Sequence, residues 1–174
     1  MPEITFNTPA GQPAQRELLV LCVNTGTSQV PVWSPIGKRV EDSSAEFDWG
    51  SEQKVHIFGI TYSKLKKPVI TQSFEPCEID AADAAQQRIW NDSIRNQDVG
   101  AMVSYDCLLV HLYAGTEGTA AFAERYGSCA IVPTSLGGEG GSSLGMPVDV
   151  TLGGERTTGT VAVSGGTYTF TADS

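Results

Sequence analysis

The sequence predicts a mostly β fold (α+β): a β-sandwich or barrel of about eight strands with one main α-helix packed on its side. Three observations predict it. Residues 43–49 and 69–75 alternate apolar and polar side chains, the two-residue period of half-buried strands. The C-terminal stretch breaks into short β-like runs punctuated by Gly153-Gly154 and Gly165-Gly166. Helical periodicity over a long window occurs at residues 80–96.

The elements follow in chain order. Residues 1–16 are polar, hold three prolines and read as an N-terminal arm, so the folded domain is expected over residues 17–174. Residues 17–24 (ELLVLCVN) are apolar without alternation, as in a strand buried on both faces. Residues 25–29 make a polar turn. Residues 30–36 can form a strand, which Pro31 and Pro35 confine to a sheet edge.

In residues 43–49, Ala45, Phe47 and Trp49 share one face, and Ser44, Glu46 and Asp48 the other. In residues 69–75, Ile70 and Phe74 oppose Thr71, Ser73 and Glu75. These two arms are expected to pair antiparallel. Between them lies a long connection, residues 50–68, with a tip expected to be polar. Hairpin loops usually span about 2–5 residues, and longer ones tend to carry function.

Asp80 is a plausible helix N-cap. Helical spacing puts Ala82, Ala85, Ile89, Trp90 and Ile94 on the core face and Gln86, Gln87, Arg88, Asn91 and Asp92 mostly outside. Gly100 closes the next turn. Residues 101–113 are strongly β-like, and residues 119–126 (TAAFAERY) suggest one or two helical turns ended by Gly127. Residues 129–133 form a short strand. Residues 135–145 (SLGGEGGSSLG) form a flexible Gly/Ser-rich loop. Strands are expected at 148–152, 158–163 and 167–171, joined by hairpin turns at the two Gly-Gly pairs.

With 174 residues, one domain suffices. Charged residues make up 18%, below the average of about 25%, which suits a surface that other copies cover. The net charge of −9 argues against tight nucleic-acid binding, which needs lysine and arginine. It permits nucleic acid to slide past, since a surface repelling phosphate does not hold it. Residues 1–15 show no signal-peptide pattern, and no run of about 18 apolar residues is present, so no membrane anchor is expected.

No catalytic constellation emerges. Cys22, Cys77, Cys107 and Cys129 are too widely spaced for a metal-ligand motif and read as reduced, buried thiols. On one strand Cys107 and His111 would lie about 13 Å apart, too far for a dyad. The Gly-Gly-Glu-Gly-Gly at 137–141 lacks the lysine of a phosphate loop. Glu46, Asp48 and Glu75 could serve as an acid/base set or a metal site, but a solvated sheet face gives the same pattern. Lys64, Lys66 and Lys67 mark an exposed turn or a site facing an acidic neighbour. No metal, cofactor or catalytic residue is assigned.

Several pieces recur in a telling order: Trp33-Ser34-Pro35-Ile36-Gly37, the hairpin of residues 40–74, the helix of 80–96, and the Val-x-Val-x-Leu-Gly-Gly-Glu-Arg-x-x-Gly-Thr-Val run at 148–161. Over this span the chain resembles the tail tube (major tail) proteins of long-tailed bacteriophages. That resemblance implies a tail-tube-like fold and a structural, non-enzymatic virion subunit. Six subunits would close into a ring, with hairpin sheets joined into an inner β-barrel, and rings would stack into a hollow tube. Ser44, Glu46, Asp48, Thr71, Ser73 and Glu75 would face the lumen. The tip, including Gly50, Ser51, Glu52, Gln53, Lys54, Val55 and His56, would reach the adjacent ring. Implied partners are the chain itself, tail terminator and tail-tip or baseplate proteins, and a tape measure protein in the lumen during assembly. DNA would pass through without tight binding. The implied location is the virion tail, assembled in the bacterial host cytoplasm. Three alternatives stay open: an inner tube of a contractile injection system or another tail protein of this fold, a monomeric β-sandwich binding or adhesion module, and a hydrolase using clustered carboxylates.

Overall fold

The computed structural model describes residues 3–174; Met1 and Pro2 of the expected arm lie outside the described residues. The fold is mostly β, with a large antiparallel sheet and one main helix. Eleven strands are present: β1 Leu19–Asn24, β2 Trp33–Pro35, β3 Ala45–Asp48, β4 Glu52–Val55, β5 Thr61–Lys64, β6 Val69–Phe74, β7 Tyr105–Thr116, β8 Ala120–Pro133, β9 Val148–Leu152, β10 Arg156–Ser164 and β11 Thr167–Ala172. Helix α1 spans Ala84–Trp90 and continues as one π-helical stretch, Asn91–Arg95; α2 is a single turn, Val99–Met102.

The large sheet runs β2-β1-β7-β8-β9-β6-β3, and β10 also pairs with β8 and carries β11. Leu21 and Val23 of β1, with Cys107 and Leu109 of β7, enter a main core that Ala85 and Ile89 of α1 cover. The residues between them, Cys22, Leu108 and Val110, enter a second core with Trp33, Ala123 and Val161. Burial on both faces accounts for the absence of alternation in residues 17–24.

Three sequence expectations are corrected here. The first concerns residues 119–126, which belong to β8 rather than a helical turn; β8 also absorbs the short strand expected at 129–133. Alanine favours helix in isolation, but β7 and β10 flank this run, and Ala121 and Ala123 are small enough to be fully buried there.

The second concerns Gly153-Gly154, which is not a hairpin turn. Strands β9 and β10 run in line along the same side of β8, pairing with residues 130–133 and 121–126 respectively. Gly165-Gly166 does close the β10–β11 hairpin, both residues at positive φ.

The third concerns the helix, which starts later than Asp80. Asp83 is its N-cap, accepting from the Gln86 N–H at 3.1 Å, while Asp80 accepts from Ala82. Its buried face is Ala85, Gln86 and Ile89, followed by Ser93. Ala82, Trp90 and Ile94 are exposed instead. Gln86 goes inside because its amide donates to the Cys77 and Glu78 carbonyls, at 3.0 and 2.6 Å. Gly100 lies within α2, capped by Asp98.

Residues 135–145 form a loop, as the sequence predicts. Bridges Gly137↔Gly145 and Glu78↔Gly145 tie the loop down.

Gln86→Leu is expected to destabilise the protein by about 1–3 kcal/mol, because two buried carbonyls lose their donor. Trp90→Ala is expected to cost less than about 1 kcal/mol, its ring being partly exposed. Urea titration of both variants checks the order, which reverses the one that helical spacing alone suggests.

Candidate functional site

Three surfaces stand out, all built from the β3–β6 hairpin and the strands beside it. The first is a polar sheet face. Register pairs Glu46 with Thr71, Thr71 with Thr151, and Ser73 with Asp149. Paired residues project to the same side. Ser44, Glu46, Asp48, Thr71, Ser73 and Glu75 are all exposed. Asp149 and Thr151 of β9 extend this face, and the Ser73 hydroxyl donates to Asp149 at 2.6 Å. Sequence reasoning missed these two, although Val148, Val150 and Leu152 alternate with them and are buried. Glu46, Asp48 and Asp149 leave the face acidic. Its opposite side carries Ile70, Gln72, Phe74, Val148 and Val150 into the interior. Near the hairpin, Phe47 and Trp49 lie stacked and half exposed, so the apolar side is not fully covered.

The second surface is a pair of free backbone edges. Strand β3 pairs with β6 alone. Residues 130–133 of β8 pair with β9 alone, because β7 pairing stops at Cys129. Strands β8(130–133), β9, β6 and β3 thus form a four-stranded unit whose two outer strands each lack a second strand partner among the described residues, with α2 packed against β8. Such edges are templates for pairing with another chain.

The third is the connection between the arms. It is a second hairpin, β4 against β5, with Glu52 opposite Lys64 and Val55 opposite Thr61. Its apex is a tight turn: Gly59 N–H donates to the His56 carbonyl at 2.8 Å, and Phe58 N–H to His56 Nδ1 at 3.2 Å. Gly59 sits at φ 76°, where a glycine is favoured. The expectation of a polar tip is wrong. Ile57 is 93% and Phe58 80% exposed, with Val55, Ile60, Tyr62 and Leu65 exposed beside them. Gly50, Ser51, Glu52, Gln53, Lys54 and Val55 form the exposed or part-exposed stem, and His56 packs against Phe58 and Tyr62. Residues 50–68 hold four of the five lysines and one glutamate, a net charge of +3; the rest of the chain carries −12 of the total −9.

Polar chemistry inside the fold is structural. Glu124, buried on β8, accepts from Arg156 at 2.8 Å and from the Tyr126 hydroxyl at 2.6 Å. Burial would raise its pKa, but these hydrogen bonds and the Arg156 charge hold it below the usual carboxylate range. His111 Nε2 lies 3.7 Å from Glu124 and its Nδ1 2.8 Å from the Tyr113 hydroxyl. Burial lowers the His111 pKa; Glu124 opposes this and Arg156 adds to it, with a net depression. Cys107 and His111 sit on the same strand, and all four cysteines are free and buried. Burial drives the Cys22 thiol pKa up, against nucleophilic use. Among the described residues, no three His, Cys, Asp or Glu side chains gather as metal ligands, and no helix is long and apolar enough to cross a membrane.

No family model and no curated protein matches the chain. Among solved structures, the chain is similar to several. One is from the cryo-EM structure of an extracellular contractile injection system, PVC sheath/tube terminator in extended state: 12% identity over 86% of this chain and 99% of that one, TM-score 0.47. Another is from the PVC sheath-tube complex in extended state: 12% identity, 87% and 95% coverage, TM-score 0.47. A third is from the anti-feeding prophage cap: 13% identity, 88% and 95% coverage, TM-score 0.44.

Acid is expected to destabilise the fold in two stages. His111 has a depressed folded pKa, so its contribution is present above its unperturbed value of 6.5 and lost as pH falls through the depressed value. Glu124, also depressed, contributes above 4.5 and is lost further down. Thermal melts from pH 8 to pH 3 check this. His111→Gln is expected to remove the upper stage and leave the lower one.

Proposed function

We propose that this chain is a structural, non-enzymatic subunit that closes into rings through its sheet edges, and that the rings stack into a hollow tail tube. The observation that carries this reading is the four-stranded unit with two free edges and one acidic face. Joining residues 130–133 of one copy to β3 of the next would satisfy both edges at once. Repeated around an axis, this pairing closes a barrel and leaves no strand unpaired. The acidic face, with Ser44, Glu46, Asp48, Thr71, Ser73 and Glu75, would then line the lumen. Its like charge would keep a phosphate backbone from adhering during passage. The buried side of the sheet would face the subunit body.

Six copies per ring, the tail terminator, tail-tip or baseplate and tape measure partners, and placement in a virion tail follow from the sequence resemblance. The β4–β5 hairpin would contact the neighbouring ring. A head-to-tail contact does not close on itself, so it generates a filament. This also gives the exposed apolar apex a covered environment in the assembly.

Electron microscopy of the purified protein, before and after concentration, tests the reading: hollow tubes or closed rings are expected, and a monomer at every concentration, with or without a tail-tip complex, refutes it. Glu46→Lys combined with Asp48→Lys is expected to leave tubes intact but impair DNA ejection from particles built with it. Full infectivity would remove this face from the lumen.

A further inference from the structure

We infer that the receptor for the hairpin apex is a slot beside α1 at the opposite end of the same sheet in a second copy, so that Ile57 and Phe58 of one subunit seat against Ile79, Ala81 and Trp90 of the next, over the buried Met146. This rests on the stacked-ring reading and names the surface that reading leaves open.

Chain order places tip and slot at opposite ends. Strand β6 runs from Val69 to Phe74; the β4–β5 hairpin precedes it and residues 75–79 follow it. Strand β9 is antiparallel to β6, so the residues before Val148 lie at the Phe74 end. Backbone bonds fix them there: Ile79 N–H donates to the Leu144 carbonyl at 2.9 Å, and Met146 N–H to that of Cys77 at 3.1 Å. About 20 Å of strand separates the two ends. The apex is joined to the Val69 end of β6 and the slot lies at the Phe74 end, so the slot's occupant comes from another copy. One shift along the strand direction brings tip to slot and repeats indefinitely.

The slot has the size and chemistry of an apex receptor. It is a cavity of about 260 Å³ between Ile79, Ala81, Trp90 and Met146, almost wholly apolar in its exposed lining. Small-molecule sites usually begin near 300 Å³, so this volume suits one or two inserted side chains. Trp90 on α1 leaves 37% of its surface exposed beside the slot.

Charge selects the same occupant. Next to the slot, across Glu78-Ile79 and Gly145-Met146, lies a wider basin of about 650 Å³ lined by Glu75, Glu78, Glu139 and the glycines of residues 137–145. Arg39 pairs with Glu78, and Lys38 with Asp80; Glu75 and Glu139 have no ion-pair partner among the described residues. An apolar slot beside unpaired acids is the complement of an apolar apex whose stem carries Lys64, Lys66 and Lys67, with Lys54 paired to Glu52. The Gly/Ser-rich loop thereby acquires a role as the rim of the receptor.

Ile57→Cys and Gln87→Cys, combined in the full chain, test the contact. The four native cysteines are buried, so the new thiols react alone. Mild oxidation of assembled tubes is expected to give a ladder of covalent multimers, and neither single variant a ladder. Tubes without a ladder overturn the slot and leave the tube reading intact. An unsubstituted protein that never forms rings or tubes overturns both. Should the cysteine variants fail to fold, charge reversal decides. Lys64→Glu with Lys66→Glu is expected to raise the concentration needed for tubes by about tenfold. Adding Glu75→Lys and Glu139→Lys is expected to restore it, and an unchanged threshold in the first variant overturns the proposal.

Discussion

Strand β8 sets the constraint on which the rest of the molecule depends. It is 14 residues long, and every N–H and C=O along it needs a partner or water. On one side it pairs with β7 as far as Cys129. On the other it passes from β10 to β9 without a break. One strand therefore belongs both to the body of the protein and to the four-stranded unit with the acidic face. Because β7 begins only at Tyr105, opposite Cys129, the last four residues of β8 have no strand on that side among the described residues, and α2 packs against β8 instead. The free edge is a consequence of how two sheets share one strand, and β3 at the far side of the unit is its counterpart.

The exposed apex carries a cost that a monomer cannot relieve. Burying a large apolar side chain is worth about 1.5–3 kcal/mol, so an apex of a few such residues offers several kcal/mol per contact. Bringing two proteins together costs about 4–15 kcal/mol in lost freedom. A single apex in a single slot is thus close to break-even. Several apices presented at once from a closed ring share that cost, since after the first contact the rest are intramolecular. Edge pairing and apex docking therefore depend on each other: rings make the stacking contact strong enough, and stacking covers what the ring leaves exposed.

Much of this was legible in the sequence, for physical reasons. Residues 17–24 lack alternation because β1 lies between two cores, and the alternation at 43–49 and 69–75 located the polar face and its strands. What was lost had competing signals. The alanines of 119–126 speak for helix until β7 and β10 claim their backbone. Gly153-Gly154 looks like a hairpin turn, yet β8 holds both flanking strands in line, which only long-range pairing reveals. Gln86 is polar and so was placed outside; its value lies in two carbonyls distant in sequence. The tip reads as polar although it holds Ile57, Phe58 and Ile60, because apolar residues in a turn read as buried until a structure leaves them uncovered.

The charge of the chain, −9 as a sum, is better understood as two fields kept apart. Glu46, Asp48, Glu75 and Asp149 lie on the sheet face and Glu78, Asp80 and Glu139 around the slot, while four of five lysines are gathered within residues 50–68. Salt acts on these in opposite directions. Screening, with a Debye length near 8 Å at physiological ionic strength, relieves repulsion between Glu46, Asp48 and Asp149 of adjacent copies in a ring. The same screening weakens attraction between the lysine stem and the acidic basin of the next copy. Ring closure should therefore tolerate or prefer salt, and stacking should be hindered by it. A uniform charge distribution would give one sign for both steps. Segregation allows an acidic channel and an attractive junction to coexist in a subunit of one sequence, with the hairpin supplying the lysines of that junction.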